Sequence, residues 1–131
     1  MSNRSADWFS QALRNLDQAM DSATAQRHEW ACFAAQQAGE MAVKAVHLKL
    51  GQDVWGHVVR RLLEELPSQI SVPSELLDAA RALDLHYIPA RYPNSHESGV
   101  PGEHYGRLQS EEAIRHARQI IEFCRLQMAG S

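Results

Sequence analysis

Cysteine is scarce in this chain of 131 residues: only Cys32 and Cys124 occur, and neither belongs to a Cys-x-x-Cys pair. That spacing excludes a thiol redox motif and a zinc ribbon. Both cysteines sit in apolar helical surroundings, so they are expected as buried free thiols. Lysine is nearly missing, with Lys44 and Lys49 set against eleven arginines. An excess of positive charge is missing as well. The net charge is -3, so no strongly basic nucleic-acid footprint exists at the level of the whole chain. No apolar run approaches the ~20 residues of a membrane span. The opening residues MSNRSADWF carry no signal-peptide core, which predicts a cytoplasmic protein.

Several signatures of chemistry are also missing. The bundle di-iron pattern Glu-x-x-His does not occur, nor does His-x-x-x-His, and the seven histidines are scattered at 28, 47, 57, 86, 96, 104 and 116. No metal or other cofactor is therefore expected. A Gly-x-Ser-x-Gly elbow is lacking, as are the glycine motifs that hold nucleotide phosphates. No strand alternation competes anywhere with helical periodicity.

What the chain does have is helix. Hydrophobic residues make up 44%, enough for a real core in one domain over residues 1–131, with the core at about 5–128. Segment 5–22 places Trp8, Phe9, Ala12, Leu13, Leu16, Ala19 and Met20 at helical spacing. Segment 27–50 is apolar nearly all round its cylinder, which predicts a helix central to a bundle or shared with a second copy. Gly39 inside it predicts a close helix approach, since glycine there costs up to ~1 kcal/mol against alanine. Shorter helices are expected at 57–66, ended by Pro67, and at 73–85, started by Pro73. The last helix is expected to begin after Ser110 and run to about Met128. The predicted fold is all-α, an up-and-down bundle of four or five helices.

Residues 88–109 break this pattern. They hold three of the five prolines, and Gly99, Gly102 and Gly106 besides. A loop of about twenty residues before the last helix is far longer than the usual ~4–6, and such loops are often functional. Its densest polar run is Arg91-Tyr92-Pro93-Asn94-Ser95-His96. A guanidinium grips phosphate through two parallel hydrogen bonds, and an imidazole moves protons near neutral pH. Arg91 and His96 together suit RNA cleavage without a metal, one activating the ribose 2′-hydroxyl and the other stabilising the phosphorane. The plainer alternative ties Arg91 to a helix carboxylate such as Asp84.

The order and spacing of these pieces resemble the HEPN family. Asp7-Trp8-Phe9 opens the first helix. Trp30-Ala31-Cys32-Phe33 leads into Gln36-Gln37-Ala38-Gly39-Glu40-Met41-Ala42-Val43-Lys44-Ala45. Gly56-His57 starts the short helix. Leu83-Asp84-x-x-Tyr87-x-x-x-Arg91-Tyr92-Pro93 precedes Ser110-x-x-x-Ala113. The resemblance covers about residues 5–128. It implies a homodimer with a groove at its interface that receives a nucleotide or RNA, contacted by Arg91, Tyr92, Asn94 and Lys44. It implies a minimal nucleotidyltransferase as protein partner, in a toxin–antitoxin type of pair. Catalytic members are metal-independent endoribonucleases with Arg-x(4–6)-His, a spacing that Arg91 and His96 satisfy. Tyr92-Pro93 stands where those members carry a small polar residue, and is similar to the branch in which the histidine is irregular. A third implied role is a non-catalytic dimerisation module.

Overall fold

The computed structural model describes residues 3–130. Six helices follow in order: α1 (Ser5–Thr24), α2 (His28–Lys49), α3 (Val59–Glu64), α4 (Ser74–Asp84), α5 (Pro101–His104) and α6 (Arg107–Ala129). No strand occurs among the described residues. The architecture is the all-α one expected, with α1, α2, α4 and α6 as its body.

The central position goes to α2. It packs along most of its length on α1 and α6, and touches α3 and α4 as well. Its small residues let its neighbours come close: Ala31, Ala35, Ala38, Ala42 and Ala45 are all fully buried. Gly39 marks the tightest point. A methyl group there would stand 3.2 Å from Leu83 Cδ1, 3.7 Å from Ile120 Cδ1 and 3.7 Å from Val59 Cγ1. Three other helices thus converge on the one position that has no side chain.

The inward polar groups of α2 are all engaged. Gln36 is fully buried and donates to the His57 carbonyl at 2.9 Å. His47 is fully buried too; its Nε2 donates to the Leu62 carbonyl at 2.8 Å and its Nδ1 pairs with the Gln52 amide at 3.0 Å. Burial without such partners costs several kcal/mol. Both cysteines are free and buried. Burial pushes the Cys32 thiol up to about 12 and raises Cys124 further, so neither is a nucleophile at neutral pH.

Two expectations need correcting. The last helix begins at Arg107, three residues before Ser110. The Gln109 side chain caps it by accepting the Gly106 N–H at 2.9 Å. Ser110 is fully buried instead; its hydroxyl donates to the Arg107 carbonyl and sits 2.8 Å from His28 Nδ1. The connection over 88–109 is not plain loop either. It contains a 3₁₀ turn at Pro93–Ser95 and the one-turn helix α5.

Candidate functional site

The chain leaves α4 at Asp84 and winds through tight turns that return the N–H of Arg91 to the Ile88 carbonyl at 3.0 Å. Pro89 and Pro93 limit the backbone on either side of Arg91. The arginine Nε donates to the Tyr87 carbonyl at 2.7 Å. This anchor lays the guanidinium among three aromatic rings. Its central carbon is 4.4 Å from the centre of Phe33, 4.5 Å from Tyr87 and 5.1 Å from Tyr92. Each contact is of cation–π type and holds the plane without neutralising its charge. The second layer is also built: the His57 ring stacks on Tyr87 at 3.6 Å, with 10° between the planes.

No carboxylate pairs with Arg91 among the described residues, nor with Arg14, Arg27, Arg61 or Arg118, whereas Arg4, Arg60, Arg81, Arg107, Arg115 and Arg125 each have one. What sets Arg91 apart is its aromatic cage. The tie to Asp84 does not form. Asp84 accepts the N–H groups of Val59 and Arg60 at 2.7 and 3.1 Å, at the start of α3. Burial raises its pKa, against the pull of those two hydrogen bonds. The two terminal nitrogens of Arg91 make no hydrogen bond among the described residues, and the Nε anchor and the three rings hold their plane. A guanidinium held this way is suited to bidentate binding of phosphate.

His96 lies in the same segment but engages a different set of groups. Its Nε2 donates to the Pro89 carbonyl at 2.7 Å. Its ring stacks on His104 at 4.3 Å with 4° between planes, and His104 Nε2 donates to the Ser98 carbonyl. A carbonyl only accepts, so the proton of each neutral ring sits on Nε2 and the lone pair on Nδ1. His96 therefore has one nitrogen spent on orientation, and its Nδ1 makes no hydrogen bond among the described residues.

A model of the HEPN domain matches residues 5–127. The chain belongs to the HEPN family. It is similar to a solved protein of Thermus thermophilus, with 46% identity over 96% of this chain and 99% of that one, and a TM-score of 0.95. An archaeal HEPN homologue is 33% identical over 98% of this chain and 99% of its own, with a TM-score of 0.82. A HEPN domain protein of Thermotoga maritima is 34% identical over 95% and 99%, with a TM-score of 0.77. No curated protein matches the chain.

The other residues expected at the HEPN site are spread out. Tyr92 forms one wall of the arginine cage. Asn94 is exposed in the 3₁₀ turn, with no side-chain hydrogen bond among the described residues. Lys44 lies eleven residues beyond Phe33 on α2, about 16 Å along the helix axis at 1.5 Å per residue. Its ammonium pairs with Glu40 at 3.0 Å and stands 6.0 Å from the Trp8 ring. The pair is largely buried. Within one protomer the length of α2 separates Lys44 from the Phe33–Arg91 contact.

Sequence reading missed Phe33 and Tyr87 as the floor of the cage. It also missed a groove of about 700 Å³ between α1 and α2, in which Phe33 is one wall. A signal was present: Gln11, Asn15, Gln18 and Ser22 recur at helical spacing on α1, and all four line that groove. Among the described residues no helix is long and apolar enough to cross a membrane.

Proposed function

We propose that this HEPN protein binds nucleotide or RNA, with Arg91 as the phosphate anchor. The carrying observation is the aromatic cage, which fixes the guanidinium and leaves its charge unpaired. Tyr92 closes the cage, and Asn94 is exposed two residues further on to meet a ribose or phosphate oxygen. The unit is a single domain, and it works as a homodimer whose groove receives the ligand. Lys44 serves that groove from the partner's side or from its far end. A minimal nucleotidyltransferase is the protein partner, in a toxin–antitoxin type of pair within the cytoplasm; two buried free thiols suit that reducing compartment. Calorimetric titration with AMP and with a short single-stranded RNA tests the anchor. Arg91→Ala should weaken both by about tenfold or more, the scale of one lost charge-assisted pair. Unchanged affinity rejects the reading.

A second reading is favoured by one observation. The His96 ring is oriented by the Pro89 carbonyl, with Nδ1 left as a base. In the endoribonuclease reading, Nδ1 takes the proton of the ribose 2′-hydroxyl. The 2′-oxygen attacks phosphorus as the bond to the 5′-oxygen breaks, and the 5′-oxygen takes a proton from solvent water, giving a 2′,3′-cyclic phosphate and a 5′-hydroxyl end. His96 returns its proton to the hydroxide left behind. Arg91 holds the charge of the phosphorane. Incubation with total RNA in EDTA tests it: His96→Ala should lose ~100-fold or more in cleavage. Cleavage retained in that variant rejects His96 as the base.

A further inference from the structure

Resting on the reading of Arg91 as phosphate anchor, we propose that the groove between α1 and α2 is the base subsite of the same ligand. The base it takes is one with an exocyclic amine, adenine first. The groove encloses about 700 Å³, within the ~300–1,000 Å³ range of small-molecule sites. It adjoins the anchor through a single ring. Phe33 carries the Arg91 guanidinium at 4.4 Å and also lines the groove. Trp30 stands edge-on to Phe33 at 6.3 Å and is half exposed, which makes it a stacking surface for a planar base.

The charge pattern fits a nucleotide. No carboxylate lines the groove among the described residues, although acids outnumber Lys and Arg by 16 to 13 in the chain. Arg27 lines it at the turn between α1 and α2, with no ion pair among the described residues. The amides point to the base. Gln11 spends a donor on Asn15 at 3.0 Å, Gln18 spends one on Ser22 at 2.9 Å, and Gln37 spends one on Gln36 at 2.7 Å. Those three side chains keep an acceptor oxygen, and Asn15 keeps its donor nitrogen. Asn15 and Gln18 are neighbours one turn apart, so a donor and an acceptor stand side by side. Adenine's exocyclic amine can donate to Gln18 while its ring nitrogen accepts from Asn15, and its second N–H can serve a further free oxygen; uracil meets the same pair through N3–H and O4 but has no second donor there.

The test uses the full chain with Trp8→Phe and Trp55→Phe, which leaves Trp30 as the only tryptophan. AMP, UMP and ribose 5-phosphate are titrated, and hexa-adenylate separates a free nucleotide from a base within a strand. The expected result is quenching of Trp30 by AMP, with AMP bound roughly tenfold tighter than ribose 5-phosphate or UMP. Asn15→Ala with Gln18→Ala should erase that ratio and leave ribose 5-phosphate binding and the melting temperature unchanged. A ratio that survives the double variant overturns the proposal. So does a dimer by light scattering that Trp30→Glu dissociates, if AMP leaves Trp30 fluorescence unchanged; a second copy then fills the groove. Arg91→Ala separates the two claims. Ribose 5-phosphate affinity unchanged by Arg91→Ala, with the base ratio still dependent on Asn15 and Gln18, rejects the anchor alone.

Discussion

The two sides of α2 carry similar polar residues and treat them in opposite ways. On the inner side, Gln36 and His47 are fully buried, and backbone carbonyls accept from both. On the outer side, Gln37 and Arg27 line an open groove, and Phe33 there supports an arginine with no acid beside it. The inner side is a solved packing problem, with no buried side-chain nitrogen or oxygen left without a partner among the described residues. The outer side keeps hydrogen-bonding capacity and charge in fixed positions. A structural polar group is used up by its own fold, whereas a binding group is held in place and left unspent.

The largest effect should come from damage to the inner side. Ile120→Ala removes a fully buried side chain that faces Gly39, and should cost ~2–5 kcal/mol by urea unfolding. His47→Leu keeps the volume but leaves the Leu62 carbonyl without its donor, an expected loss of ~1–3 kcal/mol. Arg91→Ala should invert that pattern. Arg91 is only half-buried and leaves no charge unpaired when removed, so its stability loss should stay at ~1 kcal/mol, while ligand affinity falls. A large drop in melting temperature would move Arg91 to the structural side of the comparison.

The smallest effect is one of pH. Burial lowers the pKa of His86 below its ordinary 6.5, and the nearby His116 adds to this. Its Nδ1 pairs with the Tyr105 hydroxyl at 3.0 Å, and burial holds that phenol up at about 12. The folded state therefore prefers neutral His86, while the unfolded chain takes a proton as pH falls through 6.5. Stability from this group is full above that value and is lost on acidification towards its folded pKa. Melting curves between pH 7.5 and 5 should fall less steeply in His86→Gln than in wild type.

Much of the bundle was legible because helical periodicity is a property of the sequence alone. The spans 5–22 and 27–50 stand close to Ser5–Thr24 and His28–Lys49, and Gly39 does mark the close approach. Ser110 misled because serine before two glutamates is a good cap by chemistry. Only the position of the His28 ring reveals that it faces inward. Arg91 was legible as a candidate through its residue type and its proline neighbours. The cage was not, because Phe33 and Arg91 meet only once α2 and the segment after α4 are packed together. Lys44 was grouped with Arg91 by family pattern, and the geometry of one helix separates them. The amide stripe on α1 was visible in the spacing of Gln11, Asn15 and Gln18, but resembled an ordinary wet face until the groove gave it a wall.

The most direct test of Arg91 as a caged, unspent phosphate anchor is a calorimetric titration of AMP into wild type, Arg91→Lys and Arg91→Ala. The account predicts a loss of about tenfold or more for alanine. It predicts only partial rescue by lysine, which keeps the charge but lacks the planar fork that stacks on Phe33 and Tyr87. Equal affinity in all three proteins would contradict it.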